Sequence, residues 1–282
     1  MTGYKQVNPT PEEVGAYYDL MGPFYATLWG DNIHVGYWTG PDDTSSNVEA
    51  QDRLTDLLIS KVGLTPGQTL LDVGCGVGRP AVRLSQQTGA AVVGITVSAD
   101  QVARATALAE RSGVADRVRF QRADAMALPF NDASFDAVWA FESLLHMPDR
   151  AHVLREVWRV LRPGGRFILT DVTEERSLSA EQRALLYGSF LLRSLETIER
   201  YPMLVTATGF IVDDVIDISA QTKRTLQYVS DALTEKRETI RTLYGAELLA
   251  TLEQVWPILA TIQRDYLGYI VLAAHKPLSS AL

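Results

Sequence analysis

Three glycines at alternate positions, Gly74, Gly76 and Gly78, follow the apolar run Leu70-Leu71-Asp72-Val73 and carry the clearest chemistry in this 282-residue sequence. Glycine at Gly74 and Gly76 lets the backbone approach a bulky ligand at the carboxyl end of a strand, where a side chain would block the approach or forbid the dihedrals. Two familiar ligands fit poorly. Gly78-Arg79-Pro80 lacks the Gly-Lys-Ser/Thr of a triphosphate loop, and the even spacing differs from the Gly-x-Gly-x-x-Gly of a dinucleotide site. Asp72, just ahead of the loop, would repel a pyrophosphate but would hold a cation. S-adenosylmethionine, with a sulfonium, an amino group and no phosphate, meets these conditions.

The elements that must position this loop read as an alternation. Strands are predicted at 69–73, 90–95, 118–122, 135–140 and 166–171, helices at 48–62, 99–112 and 149–161, and Pro80 stands where the first turn of another helix needs no N–H. This pattern predicts an α/β fold, a doubly wound, mostly parallel sheet with helices on both faces. The regularity breaks at Glu174. An amphipathic helical stretch over 177–200 predicts a lid above the carboxyl ends of the strands, with the acid pair Glu174-Glu175 capping its helix. A strand over 211–218, a long helical region over 221–263 and a strand over 268–275 bring the strand count to seven. The expected divisions are an N-terminal helical cap (1–62), a cofactor-binding core (63–173), the lid (174–205) and the remaining sheet with C-terminal helices (206–282).

Composition narrows the partners. Hydrophobic residues make up 46% of the chain, enough for one full core with an insertion. With 26 Lys and Arg against 34 Asp and Glu, the net charge of -8 argues against a general nucleic-acid binder. The single cysteine, Cys75, allows no intramolecular disulfide and no cysteine metal site, so a reducing cytoplasm is expected, with Cys75 a small filler of the loop. The amino terminus has no basic-then-apolar signal pattern, and no window approaches the ~18 apolar residues of a membrane span.

The whole set of motifs resembles the class I S-adenosylmethionine methyltransferases over roughly residues 10–280. It comprises Asp72-Val73-Gly74-Cys75-Gly76-Val77-Gly78, Gly94-Ile95-Thr96-Val97-Ser98 with Gln101, Ala123-Asp124-Ala125-Met126, Phe135-Asp136-Ala137-Val138 and Leu161-Arg162-Pro163-Gly164-Gly165. The run from Trp29 to Trp38 and the segment Glu142-Ser143-Leu144-Leu145-His146 are most similar to natural-product tailoring enzymes, especially sugar O-methyltransferases of the rebeccamycin type. The resemblance implies a Rossmann-like sheet whose last strand inserts antiparallel. It places Gly74 and Gly76 around the methionine portion of the cofactor, and Thr96, Ser98 and Gln101 at the ribose, where an acidic residue is more usual. Asp124 and the Ala125 N–H would read the adenine edge, and Tyr17, His34, Gly36 and Glu142 would lie near the cofactor. Other readings remain open: Asp124 as a turn cap, Gln101 as a solvent-facing helix residue, and the aromatic run Tyr17, Tyr18, Phe24, Tyr25 and Trp29 as plain packing.

Methyl transfer to a hydroxyl needs a base, and His146 follows the fourth strand on the rim where substrate should arrive. Sugar methyltransferases of this kind place two adjacent histidines there and an aspartate at the end of the fifth strand. Here Asp171 matches the aspartate and His146 the second histidine, but the first is Leu145. Either His146 with Asp171 suffices, or the proton-transfer function is absent. Leu145, Phe190 and Trp256 are expected to line the substrate cavity, under a lid made apolar by Leu185, Leu186, Tyr187, Leu191 and Leu192, with Met203 beyond. His152 and His275 read as structural. Asp171, Glu174 and Glu175 make too thin a cluster for a metal. The expected activity is methyl transfer to a hydroxyl, with an amine or carbon less favoured, of a bulky apolar small molecule in secondary metabolism. The protein would act as a monomer or homodimer. The alternatives are a methyltransferase-fold polyketide cyclase that binds the cofactor without using it, and a noncatalytic cofactor sensor.

Overall fold

Leu70, Leu71 and Val73 leave no side of β1 (Thr69–Val73) exposed, which requires a strand in the middle of a sheet with both faces covered. In the computed structural model, which describes residues 9–30 and 32–278, β1 pairs in parallel with β2 (Ala91–Thr96) and β4 (Phe135–Phe141). With β3 (Val118–Arg122), β5 (Leu161–Glu174), β6 (Ile211–Asp217) and β7 (Leu267–His275), they form one seven-stranded sheet in the order β3-β2-β1-β4-β5-β7-β6. β7 runs antiparallel to both its neighbours, as expected. The strand order reverses between β1 and β4, and a crevice opens at such a reversal above the carboxyl ends.

The helices form where their caps are written. α1 (Pro11–Leu28) and α2 (Asn47–Val62) each begin with a reciprocal capping box, Thr10 with Glu13 and Ser46 with Glu49. Pro80 lies in the first turn of α3 (Arg79–Thr88), and Ser98 caps α4 (Ala99–Arg111). α2 and α3 cover one face of the sheet, and α5 (Arg150–Val160) covers the other.

Three expectations need correction. The helical stretch over 177–200 is shorter: α6 (Ala180–Phe190) stops at Leu191, whose φ of 49° leaves the helix, and the chain returns extended so that Glu196 bridges Thr173 of β5. A second helix, α7 (Arg200–Ala207), then leads into β6 and packs beside α5 on the sheet, with Met203 turned to solvent. Glu174 and Glu175 do not cap α6. Ser179 and Gln182 do so with a capping box, while Glu174 pairs with Arg183 and Glu175 with Lys223. The region over 221–263 is broken into α8 (Ser219–Thr222), α9 (Thr225–Glu235) and α10 (Arg237–Tyr266), and α10 kinks at Gly245, where φ is 84°. α1, α6, α9 and α10 enclose a third apolar cluster outside the two sheet faces.

Candidate active site

β1 delivers Asp72 and the glycine loop to the crevice. Gly74 has φ of 80°, and a Cβ there would come within 2.4 Å of the Ser143 Cβ; Gly76 has φ of 53°, and a Cβ there would meet nothing within 4 Å. Gly74 is therefore needed for packing against the loop after β4, whereas Gly76 borders open space. That space is a first cavity, lined on the loop side by Asp72, Gly74, Gly76, Thr96, Gln101, Asp124 and Ala125. No lysine or arginine among the described residues lines it, so it offers no cation to a phosphate.

The polar groups of this cavity suit a cationic nucleoside. Burial pushes the Asp72 carboxyl up to about 7, because no partner compensates its desolvation well. Asn32 Oδ1 and Ser143 Oγ, also on the wall, are buried without a hydrogen-bond partner among the described residues, which is costly unless a ligand supplies one. Thr96 Oγ1 donates to Gln101 Oε1 at 2.6 Å, so Gln101 faces inward and keeps its amide N–H groups for a ligand. Asp124 does act as a turn cap, accepting from the Met126 N–H at 2.9 Å through one oxygen, and its other oxygen is left for the cavity. These residues fit S-adenosylmethionine: Asp72, Asn32 and Ser143 for the amino-acid end, Thr96 and Gln101 for the ribose, Asp124 and Ala125 for the adenine.

Three expected cofactor residues lie elsewhere. Tyr17 does not line the cavity; its hydroxyl joins Tyr25 Oη at 2.8 Å and donates to the Ser189 carbonyl at 2.9 Å. One residue on, Tyr18 faces the ligand side, because α1 presents Pro11, Val14, Tyr18 and Tyr25 at intervals of three, four and seven along one face. That spacing was the signal available in the sequence. Gly36 is a packing glycine, since a Cβ there would come within 2.6 Å of the Trp38 ring and 2.8 Å of Ala50. Ser98 is consumed by its helix cap and by a hydrogen bond to Asp19. His34 does line the cavity, stacked on Phe141 at 4.1 Å, and burial holds its imidazole down at about 4.

The second cavity lies within the third apolar cluster. It shares the side chains of Tyr18, Ile33, Glu142 and His146 with the first. Leu145, Phe190, Leu186, Trp29 and Val172 line it, while Trp256 stands one layer behind, stacked on Phe24 and edge-on to Phe190. Glu142 occupies a left-handed backbone conformation with φ of 47°, uncommon for a side-chain-bearing residue. Its carboxyl accepts from the Val35 N–H and the Tyr269 hydroxyl, and burial raises it to about 8.

His146 and Asp171 are not joined. By strand alternation Asp171 shares a face of β5 with Phe167 and Leu169, the face covered by α5 and α7. There it accepts from the Tyr201 hydroxyl and from the Val172 N–H, and burial raises it to about 7. It lines neither cavity. His146 lies in the short helical turn after β4, with Nε2 at 2.9 Å from the Tyr18 hydroxyl and Nδ1 at 3.2 Å from the Leu191 carbonyl. A carbonyl only accepts, so Nδ1 carries the proton and Nε2 the lone pair. Burial pushes this imidazole down to about 4, which keeps it neutral. Among the described residues no group of three or more His, Cys, Asp or Glu gathers as a metal site, and no helix is long and apolar enough to cross a membrane.

A family model described as a methyltransferase domain matches residues 71–169. The chain is 40% identical over 269 residues, 95% of both chains, to the (+)-O-methylkolavelool synthase of Herpetosiphon aurantiacus. It is 38% identical over 273 residues, 95% of this chain and 98% of the relative, to the 27-O-demethylrifamycin SV methyltransferase of Amycolatopsis mediterranei. The crystal structure of the 4+2 cyclase SpnF superposes with a TM-score of 0.86 and 36% identity, covering 96% of this chain and 98% of that one. The glycine loop, the crevice lined by no lysine or arginine among the described residues and the strand order agree with these likenesses, and the chain belongs to the class I S-adenosylmethionine-dependent methyltransferases.

Proposed function

We propose that the protein methylates a hydroxyl of a neutral, bulky, apolar small molecule of secondary metabolism. The observation that carries this reading is the shared wall: a cavity suited to the cofactor meets an apolar cavity at His146, the one imidazole bordering both. Among the described residues no lysine or arginine lines the second cavity, so it offers no cation to a phosphate or carboxylate, which supports an uncharged acceptor. The relatives named for O-methylation of an alcohol-bearing natural product support the same class.

When bound, the cofactor supplies a methyl made electrophilic by its sulfonium. The chain has to align the acceptor with that methyl, take its proton and keep water away. Nε2 of His146 accepts the hydroxyl proton, and the acceptor takes the place that the Tyr18 hydroxyl holds at 2.9 Å. Leu145, Phe190 and Leu186 hold the apolar body of the acceptor and exclude water. Asp72 faces the cationic end of the cofactor.

A cyclase is the second reading, favoured by the likeness to SpnF and by the separation of His146 from Asp171. Incubation with methyl-labelled cofactor and a panel of terpenoid and polyketide alcohols separates the two by mass. A gain of one labelled methyl is expected. An isomerised product of unchanged mass would support the cyclase instead, and transfer only to anionic acceptors would refute the substrate class.

A further inference from the structure

The partner that orients His146 is a backbone carbonyl of the lid. Leu191 ends α6 in the left-handed region, φ 49° and ψ 43°, where leucine is uncommon, and this turn aims its carbonyl at Nδ1 of His146. Two more bonds seat the same end of the lid: the Ser189 carbonyl accepts from Tyr17 Oη at 2.9 Å, and the Arg193 N–H donates to the Leu145 carbonyl at 3.0 Å. Leu191 lines neither cavity, and its carbonyl meets the site through Nδ1 of His146. Asp171, the acid expected to serve proton transfer with His146, is bonded to Tyr201 on the face of β5 covered by α5 and α7.

We propose that Leu191 is a positioning residue: its left-handed backbone selects, through the carbonyl, the His146 tautomer whose basic Nε2 faces the second cavity. The imidazole is then oriented only while the lid is seated, which couples closure over substrate to readiness of the base. This inference rests on the reading of His146 as the base. Its test reads the tautomer directly, so the two can fail separately.

Nitrogen-15 NMR of the full-length chain reports which imidazole nitrogen is protonated, with H146Q assigning the resonance. Leu191→Gly enters the left-handed region freely, Leu191→Val resists it because valine is β-branched, and Asp171→Asn removes the acid. The expected result is Nδ1–H in the wild type, Leu191→Gly and Asp171→Asn, and a tautomer mixture in Leu191→Val. In that variant kcat should fall at least ~10-fold with the cofactor KM little changed. A wild-type tautomer in Leu191→Val, or a tautomer that follows Asp171→Asn, overturns the proposal. Should Leu191→Val not fold, the other two decide: retention of Nδ1–H in both supports the proposal, and loss in either overturns it. Full methyl transfer by H146Q would refute the base while leaving the tautomer result in place.

Discussion

Burial holds His146 at about 4, well below the ordinary histidine value, so its Nε2 lone pair stays unprotonated across the neutral range. His146→Ala should lower transfer to a hydroxyl by at least ~10²-fold, and the wild-type kcat/KM for the acceptor, read at saturating cofactor, should stay flat on the acid side down to about pH 5. A break near pH 6.5, or an unimpaired variant, would count against the base. Asp72 carries the opposite linkage. Its carboxyl, raised to about 7, is largely protonated at pH 6, yet it must be ionised to hold a cationic ligand. Cofactor affinity should thus weaken about tenfold per pH unit below 7, with a proton released on binding, and Asp72→Asn should abolish both effects. Calorimetry in buffers of different ionisation heat counts that proton; zero release at pH 6 would contradict the assignment. Asp72 and Gly76 were legible in the sequence because their chemistry is local. Tyr17 was chosen where Tyr18 faces the site, since a family motif fixes a residue type more firmly than a helical phase. The alternation of β5 puts Asp171 with Phe167 and Leu169, but which helices cover that face depends on contacts distant in sequence.

At the scale of elements, strand and helix positions were legible wherever hydrophobic period and caps agreed, as in α2 with its Ser46 box and β1 with its apolar run. The lid was not, because its stop depends on Leu191, a residue with no sequence signature for a left-handed turn, held there by contacts from α1 and the loop after β4. A second feature missed in the sequence is a polar stripe on α2. Asn47, Gln51 and Thr55, spaced by four, are all buried, and they face the loop over 29–35. Gln51 Nε2 donates to the carbonyls of Asn32 and His34 at 3.0 Å each, and Asn47 Nδ2 donates to the Trp29 carbonyl at 3.0 Å. The helix thereby adds donors to the one the same stretch supplies itself, Trp29 Nε1 to the His34 carbonyl at 3.1 Å. Gln51→Leu would leave the Asn32 carbonyl unpaired at about 1–3 kcal/mol, while the His34 carbonyl keeps the Trp29 Nε1 donor at 3.1 Å, and would loosen the loop that brings Asn32 and His34 to the first cavity. A lower melting temperature and cofactor binding weakened about tenfold, a loss of about 1.4 kcal/mol, are the expected outcomes. Unchanged affinity in a folded variant would show that the stripe serves stability alone.

For the molecule as a whole, two apolar clusters lie on the faces of the sheet, and most of the second cavity's wall belongs to a third, which meets the sheet at Val172 of β5 and Leu267 of β7. α1, α6, α9 and α10 come from separated stretches of chain, and their shared cluster is closed by aromatic rings: Trp256 stacks on Phe24 at 5.4 Å and meets Trp29 and Phe190 edge-on at 6.0 and 5.8 Å. Composition and periodicity announce apolar faces on each of these helices but not which faces meet, so this third core could not be read in advance. Its place outside the two sheet faces makes a definite expectation for Trp256→Ala. Removing a buried tryptophan costs about 3–5 kcal/mol, and here nearly all of that falls on contacts within the third cluster. Amide exchange should therefore quicken together in α1, α6, α9 and α10, while β1, β2 and β4 keep their protection. The substrate KM should rise, because Phe190 loses its support, while Asp72, Thr96 and Gln101 keep most of the cofactor affinity. Cofactor affinity falling in step with substrate affinity, or exchange quickening equally in the sheet, would mean that cap, lid and sheet unfold as a single unit and that closure cannot vary independently of cofactor binding.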